Sequence, residues 1–281
     1  MAHEALIDPK ELAARLGNED LVVADCRFSL ADPSAGRAQY ELGHVPGACF
    51  FDLATDLSAP VAPHGGRHPL PDASGLGRRL AQAGVNADSL VVAYDDSRFG
   101  FAARLWWLLR YLGHRNVRVL DGGFKAWVSA GLPVSTGRPA SRSGSFVPRV
   151  DPSMLATREE VLELVQAGGG NTHLLDAREP KRFRGEEEPI DPVAGRIPGA
   201  RSFPWQDFST SEGRAISEAA NRDRWAALEP QPSILYCGSG VTACVNALSL
   251  EAAGISNVRL YAGSFSDWCS YPESPIAVGS D

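Results

Sequence analysis

The chain of 281 residues carries the same series of short motifs twice, in the same order. Four segments of the first half each have a counterpart in the second half. Given as first-half and second-half pairs, they are Asp25-Cys-Arg27 and Asp176-Ala-Arg178, His44-Val-Pro-Gly-Ala48 and Arg196-Ile-Pro-Gly-Ala200, Ser89-Leu-Val-Val-Ala-Tyr-Asp95 and Ser233-Ile-Leu-Tyr-Cys237, and Val119-Leu-Asp-Gly-Gly-Phe-Lys-Ala-Trp127 and Leu260-Tyr-Ala-Gly-Ser-Phe-Ser-Asp-Trp268. Such self-similarity predicts two homologous domains.

Each half alternates short apolar runs with helical patterns. This alternation favours an α/β fold in which a mainly parallel sheet is flanked by helices. The predicted strands are Leu21–Asp25, Leu90–Tyr94, Val117–Leu120, Leu174–Asp176, Ile234–Tyr236 and Val258–Leu260. Between the halves, residues 135–145 are rich in Ser, Gly and Pro, a composition typical of an exposed connection. We therefore predict one domain over residues 1–140 and a second over residues 150–281, with the boundary near residue 140.

The segment from Ser233 to Cys244 combines a strand, a single cysteine and a loop of small residues that begins a helix. The loop reads Cys237-Gly-Ser-Gly-Val-Thr242. A thiolate is the reactive form of cysteine, and backbone N–H groups at a helix N-terminus stabilise it. Glycines permit several N–H groups to approach one point. We therefore predict that Cys237 is an exposed, ionised nucleophile bound by loop amides, although a buried structural cysteine is the alternative.

Composition narrows the remaining classes of function. The five cysteines are an odd number, and Cys26, Cys49, Cys244 and Cys269 are scattered without a paired motif, so we expect structural thiols, no disulfide framework and no metal site. The net charge of −7 argues against binding to nucleic acid. No apolar run approaches the roughly 20 residues of a membrane span, and we expect a cytoplasmic protein with no membrane partner.

The motifs resemble the tandem-domain rhodaneses, which are thiosulfate and 3-mercaptopyruvate sulfurtransferases. The resemblance extends over nearly the whole chain and includes Gly65-Gly-Arg-His-Pro-Leu-Pro71. The uncharged loop after Cys237 is similar to the mercaptopyruvate subtype. By the same resemblance the first domain has lost its cysteine, because Asp95 stands at the equivalent position. The resemblance implies no cofactor, a small-molecule sulfur donor, and a thiol acceptor such as thioredoxin or a low-molecular-weight thiol.

The resemblance also implies roles for particular residues. Cys237 forms a persulfide, and its charge is stabilised by the loop residues Gly238, Gly240, Val241 and Thr242. Ser239 and His68 form a proton relay, although a lone histidine in a Pro/Gly-rich segment is otherwise read as a solvated loop residue. The acid of this relay is left open, since Asp52, Asp56 or no acid at all fits the sequence.

Recognition of a donor carboxylate requires a cation, and the segment after Asp176 supplies three arginines. Arginine binds a carboxylate through two parallel hydrogen bonds. The resemblance favours Arg178 and Arg182, and Arg184 follows them. On composition alone, the same segment is a solvated basic loop balanced by Glu186–Glu188.

We therefore predict a 3-mercaptopyruvate sulfurtransferase, with a thiosulfate sulfurtransferase as the nearest alternative. A cysteine phosphatase of related fold needs an arginine six positions after the nucleophile, where this chain has Ala243. A binding or scaffold module is the non-catalytic alternative. The presence of Cys237 in its glycine loop argues against it.

Overall fold

The computed structural model describes residues 5–137, 142–228 and 231–279, which form two compact units. The first unit comprises the residues up to Ala59, Pro71–Asp151 and Ser209–Ile216. The second comprises Pro60–Leu70, Pro152–Phe208 and the residues from Ser217 onward. Each unit thus takes one short segment from the other half of the sequence. The boundary predicted near residue 140 lies outside the described residues.

The first unit contains one parallel sheet with helices packed on it. Its strands are β1 (Leu6–Ile7), β2 (Leu21–Asp25), β3 (Cys49–Phe50), β4 (Leu90–Tyr94) and β5 (Val117–Leu120), in the order β1-β5-β4-β2-β3. Every pairing in this sheet is parallel. The helices are α1 (Pro9–Arg15), α2 (Ala35–Leu42), α3 (Ala73–Gln82), α4 (Ala102–Tyr111) and α5 (Gly123–Ser129).

The second unit repeats this architecture with four strands. They are β6 (His173–Asp176), β7 (Arg201–Ser202), β8 (Ser233–Tyr236) and β9 (Val258–Leu260), all parallel and in the order β7-β6-β8-β9. The helices are α6 (Arg158–Gln166), α7 (Pro180–Phe183), α8 (Glu218–Trp225), α9 (Ala243–Ala252) and α10 (Ser264–Trp268), with 3₁₀ turns at Pro152–Met154 and Trp205–Phe208. The predicted α/β class, with a mainly parallel sheet flanked by helices in each half, is confirmed.

Burial explains why β8 occupies the interior of its sheet. All four of its residues are buried, and β6 and β9 flank it. Ile234 and Tyr236 pack in a core that includes Phe265 and Trp268 of α10. Because parallel strands end at the same edge, the residues that follow β6 and β8 emerge close together. This edge carries Cys237.

Local signals determine where several helices begin and end. Thr157 and Glu160 form a reciprocal capping box at the start of α6. The helix predicted after the cysteine loop is α9, and Gly254 follows it with a φ of +79°, a conformation that favours glycine. Among the described residues, no helix has the length and apolar character needed to cross a membrane.

Candidate active site

Cys237 lies in the loop between β8 and α9. Gly240 N–H donates to Cys237 Sγ over 3.1 Å. This contact needs a glycine, because Gly240 has a φ of +74° and a Cβ there would lie 2.2 Å from the carbonyl oxygen of Ala262. The loop backbone therefore turns back over the sulfur of the cysteine that precedes it.

The sulfur is less accessible than the sequence predicts. Cys237 is only 1% exposed, so the expectation of an exposed sulfur is wrong. Ser239 and Val241 of the same loop are also buried, whereas Thr242 is half-buried. Within residues 5–137, 142–228 and 231–279, the amides of Gly238, Val241 and Thr242 donate no hydrogen bond to the sulfur. Gly240 alone of the predicted amide donors does so there.

Helix α10 fixes the backbone of the cysteine loop from the other side. Cys237 N–H donates to Ser264 Oγ over 3.1 Å. The carbonyl oxygens of Cys237 and Gly238 accept from the amides of Phe265 at 3.0 Å and Ser266 at 2.9 Å. A loop whose backbone groups are paired in this way keeps its shape without a ligand.

The structure brings His68 and Ser239 together as predicted. His68 Nδ1 and Ser239 Oγ are 2.8 Å apart, a hydrogen-bond distance. His68 belongs to Pro60–Leu70, here called the 60–70 segment, which is part of the second unit although it lies in the first half of the sequence. The reactive loop and the predicted histidine are therefore in one compact unit.

Contacts with α10 hold the 60–70 segment. Gly65 N–H donates to Asp267 Oδ1 over 2.7 Å, and Arg67 N–H donates to Ser266 Oγ over 3.1 Å. His64 Nδ1 lies 2.8 Å from Ser270 Oγ, just beyond the helix. The same helix that supports the cysteine loop thus places His68 beside Ser239.

The two acids considered for the relay have other partners in the first unit. Asp52 Oδ1 accepts from the amides of Ala54 and Thr55 at 2.8 and 3.2 Å. Asp56 accepts from Asp52 N–H at 2.9 Å and pairs with Arg79 at 3.3 Å. These contacts give both acids a structural role in their own loop.

Arg178, predicted to bind the donor, is an internal residue. It is 1% exposed, and its guanidinium donates to both oxygens of Asp176, with Nη2 to Oδ2 at 2.7 Å, and to the carbonyl oxygen of Gly195 at 2.7 Å. Burial alone would lower the pKa of Arg178, yet that pKa is raised because Asp176 lies against it. The structure contradicts a direct role in donor binding for Arg178, because buried partners occupy its donors.

Arg182 lies beside the reactive loop, where we predict a cation that binds the donor carboxylate. Its Nε and Nη2 donate to Glu188, while its Nη1 and Nη2 lie 3.5 and 3.4 Å from where a Cβ of Gly238 would be. Arg184 instead pairs with exposed Glu186 at 2.7 Å. Arg67, to which the sequence motifs assign no role, has its Nη2 2.9 Å from the same Cβ position. The position of Arg67 next to His68 in the motif Gly65-Gly-Arg-His is the sequence feature that could have indicated its role.

Two of the other cysteines, Cys244 and Cys26, have structural surroundings. Cys244 Sγ donates to the carbonyl oxygen of Gly240 at 3.3 Å and so supports the loop. Burial, followed by the charges of Asp25 and Asp95, raises the pKa of Cys26 well above its usual range. Among the described residues, no group of three or more His, Cys, Asp or Glu side chains is arranged to hold a metal ion.

Comparison with known proteins identifies the family. The family model described as "Rhodanese-like domain" matches residues 8–130 and 157–271. A Pseudomonas aeruginosa protein named "Probable 3-mercaptopyruvate sulfurtransferase" is 47% identical, over 99% of this chain and 100% of its own length. "Putative thiosulfate sulfurtransferase SseB" of Mycobacterium tuberculosis is 39% identical, over 99% of this chain and 98% of its own length.

A solved structure agrees with the sequence relatives. The 3-mercaptopyruvate sulfurtransferase from Leishmania major has a TM-score of 0.84 and 30% identity, over 97% of this chain and 76% of that chain. The resemblance inferred from the motifs is confirmed, and so is the class of enzyme. The chain therefore belongs to the rhodanese family and is a sulfurtransferase built from two rhodanese-like domains.

Proposed function

We propose that the chain transfers sulfur from 3-mercaptopyruvate to a thiol acceptor through a persulfide on Cys237. The observation that carries this proposal is the 2.8 Å contact between His68 Nδ1 and Ser239 Oγ, two residues from the cysteine in the same loop. A donor whose carbon–sulfur bond must break needs a proton at the leaving carbon. A hydroxyl oriented by an imidazole provides one.

The first half-reaction begins with the Cys237 thiolate. It attacks the sulfur of 3-mercaptopyruvate, an S–S bond forms, and the C3–S bond breaks with its electron pair going to C3. The resulting enolate of pyruvate takes one proton at C3. When His68 donates to Ser239 Oγ, the serine hydroxyl is directed to the donor and delivers that proton. The thiol proton of the donor replaces it, so the net products are the Cys237 persulfide anion and pyruvate.

The loop stabilises the persulfide without a metal. Gly240 N–H donates to Cys237 Sγ. The amides of Gly238, Val241 and Thr242 have no acceptor in the part of the chain that the structure describes, and so remain available to the outer sulfur. Amides held in place before the reaction stabilise charge at little reorganisation cost. This arrangement supports the predicted role of these loop residues.

The second half-reaction regenerates the enzyme. An acceptor thiolate attacks the outer sulfur, the S–S bond to Cys237 breaks, and the acceptor leaves as a persulfide. Thioredoxin, a low-molecular-weight thiol or cyanide provides a nucleophile of the required kind. We expect the enzyme to act in the cytoplasm, where such thiols are kept reduced; none of its five cysteines, all of which the structure describes, is in a disulfide.

One observation favours thiosulfate as a second candidate donor. The guanidinium groups of Arg67 and Arg182 both lie beside Gly238, next to the nucleophile. Two cations suit a dianion, and sulfite leaves without a proton relay. The values of kcat/KM for the two donors, measured with the same acceptor, decide between the candidates. A large preference for thiosulfate would overturn the assignment to 3-mercaptopyruvate.

Replacing Cys237 by Ser tests the nucleophile. We expect loss of at least about a thousandfold in sulfur transfer from either donor, because an unactivated hydroxyl does not replace a thiolate. Cys49→Ser is the control, since Cys49 lies in β3 of the first unit. Mass spectrometry of the wild-type protein after donor treatment should locate one added sulfur atom on the Cys237 peptide. Substantial turnover by Cys237→Ser would refute the assignment.

A further inference from the structure

Two arginine side chains converge on one residue of the reactive loop. A Cβ at Gly238 would lie 2.9 Å from Arg67 Nη2, and 3.4 and 3.5 Å from Arg182 Nη2 and Nη1. Gly238 follows the nucleophile directly. Because Gly238 has no side chain, both guanidinium groups pack directly against the backbone of the reactive loop.

A buried carboxylate fixes both arginines. Asp191 has a side chain only 1% exposed; its Oδ1 pairs with Arg67 Nη1 and its Oδ2 accepts from Arg182 Nη2 at 3.0 Å. Glu188 holds Arg182 further, at 2.8 Å. Guanidinium groups fixed by internal carboxylates are oriented before a ligand arrives, which reduces the entropy lost on binding.

Each guanidinium keeps donors that these carboxylates do not use. Across the described ranges, Arg67 Nε and Nη2 have no hydrogen-bond partner, and Arg182 Nη1 has only Glu179, 3.8 Å away. Arg67 is the more accessible of the two, with a side chain 30% exposed against 11% for Arg182. The unused donors of Arg67 and Arg182 lie beside the reactive loop.

Charges of both signs surround Arg67. Burial lowers the pKa of Arg67; Cys237 acts in the opposite direction, whereas the neighbouring charge of Arg182 lowers that pKa further. Asp191 and Glu188 offset the charges of the two guanidinium groups, so an anion would be bound through their unused N–H donors. A carboxylate, which accepts two parallel N–H bonds, matches this arrangement.

We infer that Arg67 determines donor specificity: with Arg182, and fixed by Asp191, it binds the carboxylate of the donor beside the reactive loop and directs the donor sulfur toward Cys237. This inference rests on the proposed function and adds Arg67 to it. The contacts of the 60–70 segment with Asp267 and Ser266 then have a second purpose. They place Arg67 as well as His68 at the loop.

Arg67→Met tests the inference with two donors. The first is 3-mercaptopyruvate, and the second is mercaptoacetone, which has the same ketone and thiol but no carboxylate. We expect KM for 3-mercaptopyruvate to rise at least about tenfold with kcat changed less than about threefold, because the lost interaction binds the part of the donor that does not react. KM for mercaptoacetone should change less than about twofold.

Two further variants complete the design. Arg67→Lys keeps the charge but loses the forked geometry, and its KM for 3-mercaptopyruvate should lie between those of wild type and Arg67→Met. Arg222→Met is the matched control, because Arg222 is an exposed arginine of α8 paired with Glu218. Its kinetic constants should equal those of the wild type.

The outcomes separate this inference from the proposed function. If wild-type enzyme turns over 3-mercaptopyruvate and Arg67→Met has an unchanged KM for it, the role of Arg67 is overturned and the proposed function stands. An equal rise in KM for both donors also overturns it, since the effect would not depend on a carboxylate. If wild-type enzyme fails to use 3-mercaptopyruvate, the proposed function fails and the inference fails with it.

Discussion

The loop after β4 and the loop after β8 occupy equivalent places in the two halves, yet only one is built to react. Asp95 in the first loop accepts from four amides, those of Ser97, Phe99, Phe101 and Ala102, at 2.7 to 3.2 Å. Cys237 in the second loop accepts from one, that of Gly240. The first loop contains its own anion, whereas the second leaves amides available to one.

The backbone of the two loops is nevertheless alike. The third residue after Asp95 and the third residue after Cys237 both take a left-handed conformation, with a φ of +56° at Arg98 and +74° at Gly240. Arg98 is held there by hydrogen bonds to Ser209. A cavity of about 220 Å³ lies at the first loop, lined by Asp95, Asp96 and Lys125 among others. Both halves therefore retain a similar loop backbone. The residue at the start of the loop, Asp95 or Cys237, decides which group the loop amides bind.

The comparison also separates residues of the fold from residues of the site. Arg27 repeats the contacts of Arg178: it pairs with Asp25 at 2.6 Å and donates to the carbonyl oxygen of Gly43 at 2.6 Å. Arg178 pairs with Asp176 at 2.7 Å and donates to Gly195. A feature present in the half that lacks the reactive cysteine serves the fold rather than the chemistry.

The largest effect is expected from variants that break the Asp–Arg pair that both halves share. Arg178→Met and Arg27→Met each leave a buried carboxylate without its counterion, which costs about 3–5 kcal/mol. We expect both variants to lower the free energy of unfolding by similar amounts in urea titrations. Arg222→Met should not. An Arg178→Met enzyme with unchanged stability and a raised KM would instead show that Arg178 binds the donor.

The serine at the third position of each loop gives the next comparison. Ser239→Ala should lower kcat for 3-mercaptopyruvate about a hundredfold, because the proton relay is lost, and should affect thiosulfate less. Ser97→Ala is the equivalent change in the first loop and should leave both rates unchanged. Steady-state kinetics with the two donors measure this. Equal losses for both donors would remove the relay.

The residue that follows Asp95 is the charged Asp96, whereas the residue that follows Cys237 is the uncharged Gly238. Gly238→Asp places the first-loop carboxylate between Arg67 and Arg182, where it competes with the donor. We expect KM for 3-mercaptopyruvate to rise about tenfold. Gly238→Ala is the control without a charge and should raise KM less. Equal KM values for the two variants would contradict a carboxylate site.

Replacing Asp96 should have the smallest effect, and that effect should depend on pH. Burial raises the pKa of Asp96 to about 6, although Lys125 N–H and Arg27 lower it. The folded state therefore favours the protonated acid. The stability gained from that proton is present below the unfolded pKa of about 4 and is lost as pH rises through about 6.

Asp96→Asn should consequently raise Tm by about 1 °C at pH 8, because Asp96 is partly exposed and the charge is screened there. The difference from wild type should shrink at pH 5. Thermal unfolding at the two pH values measures both. A difference that grows on acidification would show that the Arg27 contact outweighs burial.

Much of the fold follows from local patterns. The longer strands were predicted almost to the residue because continuous apolar runs bounded by polar residues identify buried parallel strands. The two-residue edge strands β1, β3 and β7 were not predicted, since two residues carry no periodicity. The helix after the cysteine loop was predicted because glycines mark its loop and its end.

The site was predicted less evenly. Cys237, Ser239 and the surrounding glycines share one loop, and His68 was identified by its motif. Arg178 was misread because an Asp-x-Arg sequence at a strand end does not reveal that the arginine folds back onto the aspartate. Arg67 was missed because it contacts a loop far along the chain. Long-range contacts leave no local pattern.

The sequence by itself determined the duplication, the α/β class and the loop that holds Cys237, because each depends on residues close together in the chain. The tertiary structure decided which arginines have donors left for a ligand. Arg178 is enclosed by Asp176 and Gly195, whereas Arg67 reaches Gly238 because α10 binds the 60–70 segment. The physical reason is that the chemistry of a charged side chain depends on which partners the fold brings to it.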